Sequence, residues 1–446
     1  MKYKNSKIIT KKNLKQFSNK FNKTRSNKVF KNVNTKANFN NLIIKSDYLQ
    51  NKKQTFNNFI NIDSKITNQH NSGRCWLFAY LNIIRLPFIQ KYKLKDFEFS
   101  QNYLFFYDKL EKANYFLNYI IKNRDTNLDN IKLIHVLKNV TSDGGQWNVF
   151  INLIEKYGII PKSNMDDHFH SKNTNNLNEF LNDFLKKSAY LIKNSKSKNL
   201  NNLKQTILSN CYKILVIFLG EPPNKITWEF YKQNKKKTYK TIENITPIEF
   251  YKNIVKYNAN DKICLINYPC KKIPFYKLYN IDLASNVYEG KLQNFINLPI
   301  DLLIDAIKNS IDSNHAVWVA IDTKKFISRE HGILDINAFN YNDIFSFNNI
   351  MDKCDALNYR QSYPNHAVII KGYNLEKGKT NGFLVENSWG KKSGFEGNYY
   401  MNLDWFKKYV YEVVVDKKFV SKKVSSVLNK KPILLPYYSP FGDLLF

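Results

Sequence analysis

The sequence predicts an α+β fold with a helical side and a sheet side, and three observations carry that prediction. Helical patterns dominate up to about residue 311, strand patterns appear only after residue 315, and an Asn-rich stretch lies between two more regular regions. Helices first and strands later is the order of a segregated α+β fold. With 446 residues, 43% hydrophobic and 15% aromatic, the chain is long and apolar enough for a large core and two or more packing units.

Residues 1–60 are polar and rich in Lys and Asn, with isolated apolar positions at Phe17, Phe21, Val29 and Phe30. They read as a basic N-terminal arm. At residues 68–84 polar turn residues give way abruptly to an apolar run beginning at Cys75. Its apolar residues cover every face, as in a buried helix, which is expected to end near Pro87. Residues 101–123 carry Tyr103, Phe106, Tyr107 and Leu110 at helical spacing, and a further helix is expected from Trp147 to a stop at Gly158 and Pro161. Thr246-Pro-Ile-Glu249 has the capping-box spacing, and Asn297-Leu-Pro-Ile-Asp301 opens another helix, to about Ile311. Strands are expected at Ala316–Ile321, His366–Lys371, Gly382–Glu386 and Tyr411–Val415. The tail from Lys431 holds three prolines, which forbid a continuous helix, and is too apolar to stay solvated. It should pack as an extended arm on its own body or on a neighbouring subunit.

Five cysteines, an odd number spread over a long chain, argue against a disulfide framework and for a reducing, cytoplasmic setting. The N-terminus shows no apolar signal region, and no apolar run after the Cys75 helix is long enough to span a bilayer. The formal net charge is +32, with Lys scattered along the whole chain. Scattering of this kind matches an AT-rich base composition more simply than a dedicated nucleic-acid site, although such a charge attracts polyanions non-specifically.

Chemistry concentrates around Cys75. The first turn of a helix gathers unpaired N–H groups and the positive end of the macrodipole, which favour a thiolate. Gln69, six residues upstream, offers an amide donor for an oxyanion. A nucleophile needs a base, and the base needs an orienting group. Among seven histidines, His70 sits too close to Cys75 in sequence, His168 and His170 lack further ligands, and His135 and His331 have no chemical context. His315 and His366 share near-identical settings, Asn-His-Ala-Val. Only His366 is followed by a return strand ending in Asn387-Ser-Trp389-Gly, so His366 is the expected base, Asn387 its orienting group and Trp389 its shield.

Gln-x5-Cys-Trp, His-Ala-Val and Asn-Ser-Trp-Gly, in that order, resemble the papain-like cysteine peptidases. Within that group the chain resembles the bleomycin hydrolase and bacterial aminopeptidase C family. The resemblance rests on Thr67–Gln69, Ser72–Trp76, Asp143-Gly-Gly-Gln-Trp147, Glu155–Gly158, Gly220–Pro223 and Thr246–Tyr251, and continues through Asn297–Asp301, Gly332–Asp335, Val385–Gly390 and Pro432–Gly442. It runs from about residue 60 to the end. His366 lies 291 residues after Cys75, against roughly 130–150 in a minimal papain-type enzyme, so an insertion must separate the two halves.

The resemblance implies a two-lobed papain-like fold with a helical lobe and a β-barrel-like sheet lobe. The expected division is an arm (1–60), a helical lobe (61–165), an inserted, mainly helical subdomain (166–300), a β lobe (301–425) and a C-terminal arm (426–446) that enters the cleft. It also implies an aminopeptidase with Cys75, His366, Asn387 and Gln69 as catalytic residues and Trp76 and Trp389 as supports. Gly144 and Gly145 would let a substrate strand approach the backbone, and the terminal carboxylate of Phe446 would meet the substrate α-amine. Neither metal nor cofactor is implied. The implied partners are peptides with a free N-terminus and, in a homohexamer, five further copies.

Overall fold

The computed structural model describes residues 8–52, 54–197, 199–233 and 237–444. At its centre lies α1 (Cys75–Tyr92), buried on every face from Cys75 to Leu86. The helix does not stop at Pro87, as expected, but runs through it. A proline there removes one N–H and crowds the carbonyl of Ile83, at a cost of about 3 kcal/mol. Phe88 and Ile89, buried just beyond it, offset that cost, with Phe88 packed among Phe97, Phe99 and Trp228. The helix ends at Lys93, whose φ of 52° is left-handed.

The helical side packs on α1. Helix α2 (Gln101–Lys122) begins at a Ser100 hydroxyl that accepts from the Tyr103 N–H. Helix α3 (Trp147–Tyr157) ends at Gly158, as the sequence predicts. Gly158 has φ +75°, and a Cβ there would sit 2.2 Å from the Pro247 carbonyl oxygen, so only glycine fits. Helices α4 (Asn175–Asn194) and α5 (Asn201–Leu219) cover α2.

The stretch 166–300, expected to be mainly helical, is so only as far as Leu219. A hairpin follows (Ile226–Lys232 with Thr238–Ile245), and then β1 (Lys262–Ile266), β2 (Lys277–Ile281) and β3 (Phe295–Asn297) join the main sheet. Strand β1 is buried at all five positions, and a short apolar run without alternation does not reveal a strand by periodicity. The Thr246 capping box forms in both directions, with Glu249 N–H bonded to the Thr246 hydroxyl and Thr246 N–H to the Glu249 carboxylate.

After α6 (Ile300–Asp312) come β4 (Val317–Ile321), the short helix α7 (Lys353–Asn358), β5 (His366–Glu376), β6 (Lys379–Glu386), β7 (Asn398–Asn402), β8 (Val410–Asp416) and β9 (Ile433–Leu435). The sheet runs in the order β9-β2-β3-β1-β8-β4-β5-β6-β7 and continues into two short strands at Ile333–Leu334 and Ile327–Ser328. All four strands expected after residue 315 are present, each within a few residues of its expected bounds.

The termini differ in how firmly they hold. Helices Lys11–Lys23 and Arg25–Asn34 bury no residue, and the first firm anchor is Ile43, in a small separate cluster with Ile333, Ala338 and Phe339. The C-terminal arm packs on its own chain. Strand β9 pairs in parallel with β2, and Phe441 is fully buried against Tyr268 and Tyr411. The Phe441 carbonyl accepts from the Gln146 amide, and Arg360 pairs with Asp443 at 3.3 Å while donating to the Tyr438 carbonyl. Phe446 lies outside the described residues.

The odd cysteine count predicts free thiols, yet Cys270 and Cys354 form a disulfide. The loop after β1 and the start of α7 bring their Cα atoms to 5.2 Å, a normal bridging distance. Cys75, Cys211 and Cys264 are free and buried. Among the described residues no helix is long and apolar enough to cross a membrane.

Candidate active site

Cys75 opens α1, so its own N–H has no intrahelical partner. The backbone N–H groups of Ala367, Trp76 and Cys75 reach its sulfur. Ala367 follows His366 directly, so the start of β5 is what meets the start of α1.

The pairing of β5 with β6 explains how His366 finds its partners. Ile369 faces Glu386 in this antiparallel ladder, and continuing the register sets His366 opposite Trp389. The two rings stack at 4.7 Å, and His366 Nε2 lies 2.9 Å from Asn387 Oδ1. Nε2–H therefore donates to the carboxamide and Nδ1 is left as the basic nitrogen. Glu386, beside Asn387, is fully buried between Lys371 at 3.0 Å and Arg85 at 3.4 Å and accepts from Asn82, which pins the end of β6 to α1.

Burial pushes the Cys75 thiol up to about 11, against the pull of the three N–H groups. It pushes His366 down to about 4, with Asn387 acting the other way and the Arg329 charge adding to the depression. Each shift expresses the penalty on an isolated buried charge. Proton transfer from sulfur to Nδ1 creates two opposite charges side by side and adds no net charge to the site.

Gln69 is held from three sides. Its N–H donates to the Ser388 carbonyl at 2.8 Å, its side-chain oxygen accepts from the Ser388 hydroxyl at 2.7 Å, and its Nε2 donates to the Ser72 carbonyl at 2.6 Å. An amide carries two N–H bonds, so one is left over from the Ser72 contact.

The Asp143-Gly-Gly loop is a hub. Its Asp143 carbonyl accepts from Trp76 Nε1 at 2.7 Å. The Asp143 carboxylate accepts from Gly73 N–H, Thr174 and Asn178 and pairs with buried Lys109 at 2.7 Å, and together these hold it well below the usual carboxylate range despite burial. Lys112 donates to the Ser142 and Gly144 carbonyls. Gly145 lies flat on the Trp76 ring, where a Cβ would come within 2.5 Å of two ring carbons.

The histidines set aside in the sequence lie elsewhere. His315 pairs through Nδ1 with Asp416 at 2.7 Å, just before β4. His70 is exposed in the turn before α1. His168 lies against Gly220, and the His170 ring meets Phe218. Sequence reasoning missed Ser388, Ser72 and Lys109, whose roles arise from contacts between distant segments. It also missed Arg329, whose guanidinium carbon lies 4.0 Å over the Trp389 ring that stacks on His366.

The peptidase C1-like family model matches residues 8–442. The chain belongs to the peptidase C1-like family. Bleomycin hydrolase of Gallus gallus is 36% identical over 410 residues, covering 89% of this chain and 90% of the relative. Aminopeptidase C of Listeria monocytogenes is 37% identical over 382 residues, covering 85% and 86%. The crystal structure of PepW from Lactobacillus rhamnosis HN001 superposes with a TM-score of 0.93 at 35% identity, covering 98% of this chain and 99% of that one. The fold is thus the papain-like α+β fold, and the protein is a cysteine peptidase, a hydrolase.

Proposed function

We propose that this peptidase is an aminopeptidase working through Cys75, His366 and Asn387. The observation that carries the reading is the His366–Asn387 bond under Trp389, with the adjacent Ala367 N–H on the Cys75 sulfur. His366 Nδ1 takes the thiol proton, and the thiolate paired with the imidazolium attacks the scissile carbonyl. The oxyanion meets the free Gln69 N–H and the Cys75 N–H. The imidazolium, steadied by Asn387, then protonates the departing amine, and the acyl group stays on sulfur. His366 next deprotonates a water, which releases the acid and restores the thiol.

Exopeptidase action follows from the arm. Phe441 docks on Gln146, the neighbour of Gly145, so the arm at Phe441 lies beside the loop that flanks Trp76. The Phe446 carboxylate is proposed to pair there with the substrate α-ammonium, while Gly144 leaves room for the substrate strand. The aminopeptidase C relative supports this reading. A cytoplasmic homohexamer with non-specific affinity for nucleic acid completes the proposal, and sedimentation with and without DNA at graded salt measures both assembly and retention.

An unblocked aminoacyl-fluorophore and its N-acetylated counterpart test the central claim, with Cys75→Ala as control and reducing buffer to keep Cys75 a thiol. Cleavage of the free-amine compound alone, lost in the variant, is expected. Comparable cleavage of both would make the protein an endopeptidase and discard the role of the arm.

A further inference from the structure

Trp389, which stacks on His366, also carries a cation that has no carboxylate partner among the described residues. The Arg329 guanidinium carbon lies 4.0 Å over the Trp389 ring, and its main chain is tied to the turn after Trp389 by a 2.6 Å bond from Gly394 N–H. Arg329 is exposed, and no carboxylate among the described residues pairs with it. The nearby acids are engaged elsewhere, Glu330 with Asn41 and Glu396 with Lys391 at 3.1 Å. Lys392, in the same turn, is also exposed, so the rim carries a second positive charge. A guanidinium over an aromatic ring keeps N–H groups free for bidentate contact with a carboxylate.

This rim lies on the leaving side of the reaction. His366 protonates the departing amine, so the departing chain runs out past the imidazole and the Trp389 ring that covers it. Spacings of 4.7 Å (His366 to Trp389) and 4.0 Å (Trp389 to Arg329) put the guanidinium carbon at most two to three residues of extended chain from the imidazole, at roughly 3.3–3.6 Å per residue, and the guanidinium N–H groups reach back from there.

Resting on the aminopeptidase reading above, we propose that Arg329 is a specificity determinant that binds the C-terminal carboxylate of a short leaving group, so that the preferred substrates are di- and tripeptides with a free C-terminus. The net reaction is peptide plus water giving an amino acid and a peptide, or second amino acid, shorter by one residue.

The test compares di- and tripeptides with their C-terminal amides, as kcat/KM, in the wild-type protein, Arg329→Gln and Arg329→Lys. Wild type is expected to favour the free acid roughly fivefold to tenfold, between the value of an exposed ion pair and that of a charge-assisted hydrogen bond. The ratio should fall with added salt, drop to about 1 in Arg329→Gln and recover in part in Arg329→Lys. A wild-type ratio near 1, or a ratio unchanged in Arg329→Gln, overturns the proposal. Cleavage of the aminoacyl-fluorophore, which has no leaving carboxylate, separates the two claims. If the fluorophore is cut and the ratio is 1, only the Arg329 assignment fails. If no free-amine substrate is cut, both fail.

Discussion

Gly145→Ala is the sharpest probe of how Cys75 is held. The added Cβ would lie 2.5 Å from two carbons of the Trp76 ring and 2.8 Å from a third. Carbon atoms rest at about 3.5–4.0 Å, so the overlap is about 1 Å. The ring cannot swing aside. It is fully buried, its Nε1–H is bonded to the Asp143 carbonyl, and Lys112 lies 5.9 Å over its face. If the loop yields instead, the Trp76–Asp143 and Lys112–Gly144 bonds lengthen, at about 1 kcal/mol each. Overpacking of this kind costs about 1–3 kcal/mol, and a displacement of about 1 Å at the neighbouring Cys75 costs on the order of 10²-fold in rate. The expected outcome is a fall in kcat/KM of about 30- to 100-fold on an aminoacyl-fluorophore, with slower alkylation of Cys75 by iodoacetamide. Slower alkylation separates this account from one in which Gly145 only makes room for substrate, since that role would raise KM and leave thiol reactivity alone. Unchanged alkylation and kcat would refute the reasoning.

Gln69→Ala should lower kcat by about 10²–10³-fold with little change in KM, as expected for a donor used in the transition state; steady-state kinetics decide it. Asn387→Ala frees the imidazole to rotate and should reduce kcat/KM by on the order of 10²-fold while far-UV circular dichroism stays native. Asp167→Ala leaves Arg74, fully buried and paired at 2.6 Å, without its counter-charge and should cost about 3–5 kcal/mol in denaturant titrations. Burial raises Glu412 to about 8, so between an unfolded value near 4.5 and about 8 the folded state holds a proton that the unfolded state has lost. Stability should therefore fall as pH rises through that window, and Glu412→Gln should flatten the slope in urea midpoints measured from pH 5 to 9. His366 acts in the opposite sense: held near 4, it withdraws stability as pH falls from about 6.5 towards 4.

The local parts of the site were legible because each leaves a local mark. The change from turn residues to an all-apolar run marks α1 and puts Cys75 at its start. A strand, a turn and a return strand fit between His366 and Asn387, and the observed ladder uses that spacing. The features that stayed hidden depend on partners far along the chain. Pro87 reads as a stop until Phe88 is seen among Phe97, Phe99 and Trp228. Lys262–Ile266 reads as ambiguous until β8 pairs with it. Cys270 and Cys354 are 84 residues apart and carry no spacing signature. Arg329 sits in a Lys/Glu-rich loop, and only its position on Trp389 distinguishes it.

The clamp on Gln69 joins groups 319 positions apart in the chain, through the Ser388 hydroxyl. Contacts of such long range form late, because loop closure must precede the contacts that reward it. The nucleophile, base and oxyanion donors proposed above therefore come together only when the two halves of the chain have condensed. A ribosome-bound chain that stops short of Asn387 has a cysteine but no protease, so synthesis itself postpones the hazard of an active peptidase among unfolded neighbours. In refolding experiments, the return of peptide cleavage would time the closing of one of the molecule's long loops, while circular dichroism would register the helices much earlier.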